Sequence, residues 1–337
     1  MGKKNDAIVP FFKDKFRFSD LFNGAFFNGK QIIKPKDLEL VPSDTGALLK
    51  DKSKKQLKIN RFRDITMKWQ QKVTLAILAC EIQENVHYAM PVRNMIYDGL
   101  CYAEQIENSW NTLSNDEKKD VDSAEFLSHF RKDDSINPVI TLVFYYGDNW
   151  DGNVDIHSMF KDYDSSLSHG IGKLLLEKYV PNYRINLINP TKLEDLSVFK
   201  SDLHLIFSML KYKNDKDKLF RFTKDNSDYF ESVSSQTAYA ITTLLDSQKL
   251  LNEFLDKDEK EEKNMCKALE DLYNDGVAEG ERKGRLEGRL EGRLEGRLGT
   301  VSVLKSIGWK NDAIIDKLIE VYNISTDEAK ELVAGTI

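Results

Sequence analysis

The sequence has little of several features on which common classes of protein depend. Its 337 residues include only three cysteines, Cys80, Cys101 and Cys266, and their wide spacing excludes a disulfide framework and a zinc finger. No apolar run is long enough to span a bilayer, and the first residues lack the apolar stretch of a secretory signal. We therefore expect a protein that resides in the cytoplasm.

Motifs of several enzyme classes are also missing. There is no phosphate-binding P-loop, no dinucleotide-binding glycine fingerprint and no Gly-x-Ser-x-Gly nucleophile turn. The five histidines are scattered, and none pairs with another at metal-ligand spacing. The sequence therefore gives no support for a P-loop NTPase, a dehydrogenase or a serine hydrolase.

An apolar segment that ends in a carboxylate is the most informative feature that is present. The run from Val73 to Cys80 predicts a strand buried on both faces, and Glu81-Ile82-Gln83 follows it directly. Because a buried unpaired charge is unfavourable, Glu81 is expected to meet a cation, a metal ion or water. Side chains alternate along a strand, so Ile82 turns into the core and offers its carbonyl as an oxygen ligand.

Asp64 is predicted to complete this group. It lies in a strand-like segment near Gln56 to Trp69, which precedes the segment near Lys72 to Gln83 that carries Glu81. A carboxylate on a neighbouring strand would supply a second hard oxygen ligand to the same cleft. The sequence therefore predicts a site for a divalent cation.

Five segments share their order along the chain with a known protein family. They are Asp20-Leu21-Phe22-Asn23, Arg63-Asp64, Glu81-Ile82-Gln83, Met90-Pro91-Val92-Arg93 with Tyr97, and Pro138 to Gly147. Together they resemble the Rpn family of recombination-promoting nucleases, which are often called transposases. This family is related to the PD-(D/E)XK phosphodiesterases, in which an Asp and a (D/E)-x-K motif on adjacent strands hold a divalent metal.

The resemblance implies both a fold and a reaction. The implied fold is α/β, with an αβββαβ core, helical additions and a small helical C-terminal module. The implied reaction is hydrolysis of DNA phosphodiester bonds by a metal-dependent endonuclease that promotes recombination, with Mg²⁺ or another divalent cation as cofactor and DNA as partner. On this view the metal ligands are Asp64, Glu81 and the carbonyl of Ile82.

Gln83 departs from the wider fold, which has a lysine two residues after the acid. Glu-x-Gln is also the pattern of the Rpn family, so the substitution does not imply a dead enzyme. Gln83 would either orient an attacking water or bond the backbone at the strand end. Glutamine carries no positive charge, so Arg93 is the candidate for transition-state stabilisation, with an ion pair to Glu81 as the alternative.

Asp20 is either a helix cap or the acidic residue that this fold often carries on its first helix.

Positive charge is concentrated in one stretch although the formal net charge of the chain is -6. Between residues 50 and 72, nine lysines and arginines accompany only two aspartates, an excess of +7. A basic run is often only a solvated surface, but its continuity with Asp64 favours contact with a phosphate backbone. The candidate DNA-binding residues are Lys54, Lys55, Lys58, Arg61, Arg63 and Lys68.

Further elements are predicted on either side of this stretch. Helices are expected near residues 19–28, with Ser19 or Asp20 as cap, and from Pro91 to about Asn108. Strands are expected from Val139 to Tyr146 and near residues 183–189, and a helix near residues 201–211. We expect a nuclease-like domain over residues 1–280, a linker over 281–299 and a helical module over 300–337.

The predicted linker contains the tetrapeptide Gly-Arg-Leu-Glu, which repeats between Gly284 and Leu298. Glycine at every fourth position lowers helix propensity, so the repeat is expected to form at best a weak helix. Because glutamates accompany the arginines, a spacer is favoured over a nucleic-acid-binding arm.

The module beyond the repeat, with helices near 301–307, 311–322 and 326–333, is close to the lower size limit for independent folding. We therefore expect the C-terminal region to self-associate or to pack on a partner.

Two other functions remain open at the level of the sequence. A catalytically inactive DNA-binding or scaffold protein could retain the nuclease fold, and a nuclease of this fold could act on RNA. Metal-stimulated cleavage distinguishes the first from an active enzyme, and matched DNA and RNA substrates distinguish the second.

Overall fold

A computed structural model describes residues 5–41, 44–50, 56–160, 171–247, 249–250 and 262–335, without the side chains of 5–6, 44–50, 56–62, 171 and 173. The helices are α1 (Asn5–Lys13), α2 (Lys15–Phe27), α3 (Met90–Thr112), α4 (Ser123–Ser128), α5 (Ile171–Tyr179), α6 (Leu203–Tyr212), α7 (Lys216–Asp225), α8 (Ser227–Phe230), α9 (Ser235–Leu244), α10 (Met265–Ser306), α11 (Asn311–Tyr322) and α12 (Thr326–Gly335). The strands are β1 (Leu38–Val41), β2 (Asp44–Lys50), β3 (Gln56–Phe62), β4 (Ile65–Gln70), β5 (Thr74–Gln83), β6 (Val139–Tyr145) and β7 (Asn186–Ile188). The chain divides into two compact units, Met1–Ala268 and Leu269–Ile337.

The first unit is built on a mixed five-stranded sheet with the order β1-β4-β5-β6-β7. β4 runs antiparallel to both β1 and β5, whereas β5, β6 and β7 are parallel. β2 and β3 form a separate antiparallel pair. The predicted α/β class is confirmed. The strand predicted near Gln56 to Trp69 is two strands, because the ladder of β3 ends before Arg63 and β4 begins after Asp64.

β5 lies between two layers of helices, as its apolar sequence predicts. On one face of the sheet, Phe144 of β6 packs against Phe12 of α1 and Phe207 of α6, with ring centroids 4.9 and 5.5 Å apart. On the other face lies α3, where the Tyr102 hydroxyl accepts a hydrogen bond from the Val139 N–H at 3.1 Å. A polar side chain on β5 is therefore held in a buried environment.

The helix predicted near residues 19–28 is α2, and it begins earlier than predicted. Its cap is Asp14, whose carboxylate accepts the N–H groups of Phe16 and Arg17 at 3.1 and 2.9 Å. Ser19 and Asp20 therefore lie inside α2, and their predicted capping role is wrong. The predicted end is correct, since Gly29 follows the helix with φ at +79°, a conformation that suits glycine.

The second unit contains a helical module built on the C-terminal end of α10. Its core consists of Val301, Ile314, Leu318, Ile324, Ala329, Leu332 and Val333. Ser325 caps α12 by accepting the N–H of Glu328, three residues further along the chain, at 3.2 Å. The helix predicted near residues 301–307 is the last part of α10, which spans 42 residues and contains the whole glycine-rich repeat. The repeat is therefore part of a continuous helix, and the compact first unit ends at Ala268, before the predicted boundary at residue 280.

Across the described ranges, none of the helices has both the length and the apolar content required to cross a bilayer.

Candidate functional site

The register of β4 and β5 brings the two predicted carboxylates together. Ile65 pairs with Cys80, so Asp64, one residue before β4, lies opposite Glu81. Oδ2 of Asp64 accepts the backbone N–H of Ile82 at 2.7 Å. Asp64 is 6% exposed and Glu81 is fully buried. Two acidic side chains from neighbouring β-segments therefore share one buried site.

The main chain of Ile82 is directed toward the same site. The Ile77 N–H and the Gln83 carbonyl bond to residues that flank β6. Because main-chain groups alternate along a strand, the N–H and the C=O of Ile82 point toward β4. Asp64 accepts that N–H, and the Ile82 carbonyl points to the same side of β5 as the Asp64 carboxylate.

Burial sets the electrostatics of the carboxylate pair. It raises the pKa of Glu81 to about 8, and the nearby Asp64 adds to this shift. Burial also raises the pKa of Asp64, against the effect of the hydrogen bond from Ile82. Oε2 of Glu81 accepts a hydrogen bond from Arg93 Nη2 at 3.1 Å, whereas Oε1 is buried without a hydrogen-bond partner. The site therefore favours proton uptake or a cation at Oε1.

The donor set fits a hard divalent cation. Mg²⁺ takes oxygen ligands and retains several waters, so two carboxylates and a carbonyl form a sufficient protein share. Asp64, Oε1 of Glu81 and the Ile82 carbonyl would provide these oxygens. Over the described residues, no group of three or more His, Cys, Asp or Glu side chains could hold a metal ion. The set of two carboxylates and one main-chain carbonyl is unlike the four-ligand site of a structural zinc ion.

Asn94 is a candidate residue that the sequence analysis missed. It follows Arg93 on α3, the helix that covers the Glu81 face of the sheet. Asn94 is fully buried, and neither atom of its amide has a hydrogen-bond partner. A buried polar group left unbonded costs about 1–3 kcal/mol, so its presence here requires a reason. In the sequence, Asn94 stands at helical spacing from Met90, Tyr97 and Cys101, which are all buried. This spacing is the pattern that could have identified Asn94 as a buried amide.

Arg93 and Gln83 lie at the edge of this site. The guanidinium group of Arg93 pairs with Glu81, lies 5.3 Å from the centre of the Tyr97 ring and remains 28% exposed. The predicted structural pairing of Arg93 with Glu81 is thus present, and part of the arginine still faces solvent. Gln83 is half-buried at the end of β5, and its carbonyl accepts the Tyr146 N–H at 3.0 Å.

Asp20 does not join this site. Its carboxylate accepts hydrogen bonds from the Lys200 N–H, the Ser201 N–H and the Ser201 hydroxyl at 2.9, 2.7 and 2.6 Å. Both oxygens are therefore occupied just before α6, where they tie α2 to this segment. The predicted catalytic role of Asp20 is replaced by a structural one.

Arg63 is a buried structural residue and not a DNA contact. It is 2% exposed, and its guanidinium group donates to Asp98 at 2.5 Å and to Thr141 at 2.7 Å. Asp98 also accepts hydrogen bonds from Thr141 and from the Tyr183 hydroxyl. The network anchors the segment that carries Asp64 between α3 and β6. A guanidinium group enclosed in this way cannot reach a phosphate backbone.

The other predicted DNA-binding residues have different positions. Lys68 is half-buried on β4 and lowers the pKa of Glu104 on α3, against the larger raising effect of burial. Lys58 and Arg61 lie on β3, but their side chains are outside the described part of the structure. Lys54 and Lys55 lie wholly outside the described residues. The predicted contact of these five residues with DNA remains a prediction.

A cavity of about 1060 Å³ lies elsewhere in the first unit, beside β7. Its lining includes Trp150, Arg184, Asn186 and Lys192, and neither Asp64 nor Glu81 contributes to it. Size alone therefore does not identify the carboxylate site. We assign the site from its chemistry, because shifted pKa values and a buried oxygen without a partner occur together there.

Comparisons with known proteins add no assignment. The chain matches no protein-family model, no curated protein and no solved structure. A functional conclusion must therefore rest on the geometry of the site and on the sequence segments that carry the family resemblance.

Proposed function

We propose that the chain is a metal-dependent phosphodiesterase that cleaves DNA at the site of Asp64 and Glu81. The observation that carries this proposal is the pairing of two buried carboxylates, one of which has an oxygen without a hydrogen-bond partner. Carboxylates in such a setting would repel each other when both are ionised, unless a cation lies between them. The proposed ligands are Asp64, Glu81 and the Ile82 carbonyl.

The order of elements supports the proposal. α2 is followed by the antiparallel strands β1, β4 and β5, then by α3 and the parallel strand β6. This is the αβββαβ order expected of a PD-(D/E)XK core, with β2 and β3 as an insertion between the first two core strands. The proposed membership in the Rpn family of recombination-promoting nucleases rests on this order and on the five sequence segments.

The residues around the carboxylates have distinct proposed roles. A bound Mg²⁺ would polarise a phosphoryl oxygen and lower the pKa of a water molecule. The partly exposed guanidinium group of Arg93 would bind a non-bridging phosphate oxygen and stabilise charge in the transition state. Gln83, at the open end of β5, would orient the attacking water through its amide. Asn94 would hold a water on the buried side, which accounts for an amide without a protein partner.

DNA is the proposed substrate because many lysines and arginines lie close to Asp64 in the sequence. The basic stretch from residue 50 to residue 72 leads into Asp64 and continues through β4. Lysines and arginines that neutralise phosphates release counterions, so binding through this stretch should weaken steeply as salt is added. The same charge would serve RNA, and substrate comparison is therefore part of the test.

Cleavage of a supercoiled plasmid tests the proposal directly. The native chain is expected to nick the plasmid only with Mg²⁺, and Asp64→Asn should lose about 100-fold or more of this activity because the cation loses a ligand. Asp120→Asn is the matched control, since Asp120 is exposed outside the site, and it should cleave like the native chain. Equal cleavage by all three proteins would remove the assigned site.

Two further outcomes of the same assay separate the alternative functions. Faster digestion of a matched RNA than of DNA would change the substrate class. DNA binding without any metal-stimulated cleavage would instead indicate a scaffold protein that retains the nuclease fold.

A further inference from the structure

The glycine-rich repeat on α10 arranges its residues in four rows. Each residue of an α-helix turns the chain by about 100°, so every fourth residue falls on nearly the same side. We define the leucine row as Leu286, Leu290 and Leu294, the arginine row as Arg285, Arg289 and Arg293, the glutamate row as Glu287, Glu291 and Glu295, and the glycine row as Gly284, Gly288 and Gly292. The leucine row lies between the arginine row on one side and the glutamate row on the other.

The leucine row forms an apolar stripe on the helix. Leu286, Leu290 and Leu294 are 54, 56 and 48% exposed. Leu298, one step further along the chain, packs against the core of the C-terminal module. The stripe is therefore continuous with that core at one end, and three leucines before it remain open to solvent in a single chain.

The charged rows do not neutralise each other within the helix. Residues four apart in the repeat carry the same charge, and those three apart include an uncharged leucine or glycine, so the favourable helical pairs are missing. Ion pairs on this helix include Lys283 with Glu279, Arg285 with Glu281 and Arg297 with Glu328. None joins the arginine row to the glutamate row. Within the repeat, the glutamates that accompany the arginines in the sequence are therefore not at the spacing of a helical ion pair.

We propose that the leucine row is the interface with a second copy of this chain, packed side by side in the parallel orientation. A parallel two-fold axis places the arginine row of each helix against the glutamate row of the other, on both sides of the leucine contact. An antiparallel axis places arginine against arginine and glutamate against glutamate. Charge complementarity therefore selects both the partner and its direction, as flanking charges do in coiled coils.

The period of the repeat determines how the two helices wind. Four residues exceed the 3.6 residues of a helical turn, so the leucine row drifts by about 40° per repeat. A hydrophobic repeat longer than a helical turn favours right-handed winding. The glycine row lies on the far side of the helix, where a Cβ atom at Gly288 or Gly292 would meet nothing within 4 Å. Glycine therefore contributes nothing to the proposed contact and offers a control.

The mass of the full chain in solution tests the association. Light scattering after gel filtration should give twice the 38.8 kDa of one chain. Leu290→Glu combined with Leu294→Glu should give the mass of one chain, with its helical circular dichroism signal retained. Gly288→Ala combined with Gly292→Ala should keep the doubled mass. A native chain that is monomeric at the highest soluble concentration would overturn the proposal, as would a leucine variant that remains dimeric.

Cross-linking tests the direction. Cys80 and Cys101 are buried, so a Cys266→Ser background leaves the introduced cysteine as the main accessible thiol. In that background, Leu286→Cys should join two chains efficiently through a short bismaleimide, because a parallel pair places the two Leu286 positions side by side. A dimer that this reagent does not join would contradict the parallel arrangement. The inference is independent of nuclease activity, since neither readout involves DNA.

Discussion

Replacing Glu81 with glutamine should stabilise the metal-free protein at pH 8 and abolish Mg²⁺-dependent cleavage. Glu81 is fully buried, and its pKa is raised to about 8, chiefly by burial and further by Asp64. At pH 8 a fraction of the native Glu81 carboxyl groups is therefore ionised in a poorly solvated site, and this lowers the stability of the native state. Glutamine resembles the protonated acid and avoids this cost, but it removes a charged ligand from the proposed cation site.

The direction of the pH dependence follows from proton binding. Between the ordinary pKa of glutamate, 4.5, and the folded value of about 8, the native chain holds a proton that the unfolded chain has released. The native chain therefore loses stability as pH rises through this window. One pKa unit corresponds to about 1.4 kcal/mol, so the advantage of Glu81→Gln should grow to the order of a few kcal/mol at pH 8.

Urea unfolding from pH 5 to pH 8, with and without Mg²⁺, measures this effect. The native chain should become less stable with rising pH in chelator and should regain stability in saturating Mg²⁺, because a ligand of the native state stabilises it. Glu81→Gln should show a weaker response to both changes, and the exposed control Asp120→Asn should follow the native chain. A Glu81→Gln protein that is less stable than the native chain at pH 8 would contradict the proposed electrostatics.

Replacing Arg63 with methionine should destabilise the first unit by about 3–5 kcal/mol, because the change leaves one partner of a buried ion pair uncompensated. Asp98 would remain buried near Thr141 and Tyr183 with its charge unpaired. Methionine fills much of the volume, so the loss of the ion pair should dominate over loss of packing. The segment before β4 would also be released, and cleavage should fall because Asp64 is no longer held opposite Glu81.

Chemical unfolding and cleavage at a permissive temperature measure the two consequences of this change. Lys119→Met is the matched control, since Lys119 forms an exposed ion pair with Asp116 and such pairs contribute little. Adding Asp98→Asn to Arg63→Met should recover part of the lost stability, because the unpaired charge is removed. An Arg63→Met protein as stable as the control variant would show that Arg63 does not anchor this segment.

The sequence predicted the parts of the site that depend on local pattern. The apolar run before Glu81 predicted a buried central strand, and the alternation of side chains placed Ile82 in the core. The segment with Asp64 was correctly expected beside this strand, and the register of β4 and β5 places the two carboxylates opposite each other. Such features follow from residues close together in the chain.

Residues whose partners lie far away in the sequence were assigned incorrectly. Asp20 bonds to Ser201, which lies 181 positions away, and Arg63 bonds to Thr141, which lies 78 positions away. No local pattern contains such information, so Asp20 was predicted to be a cap or catalytic residue and Arg63 was grouped with a basic surface. Helix propensity also underestimated the repeat, because the repeat lies inside one continuous helix of 42 residues despite its glycines.

A manganese soak tests the central claim most directly, because Mn²⁺ substitutes for Mg²⁺ and gives an anomalous signal that locates it. Crystals grown above pH 8 should show one peak at about 2.1 Å from oxygens of both Asp64 and Glu81, the distance typical of Mg²⁺ ligands. The Ile82 carbonyl should lie at a similar distance, and the Asn94 amide should bond a neighbouring water. In a protein shown to cleave DNA, a peak at another position or no peak between the two carboxylates would contradict the account.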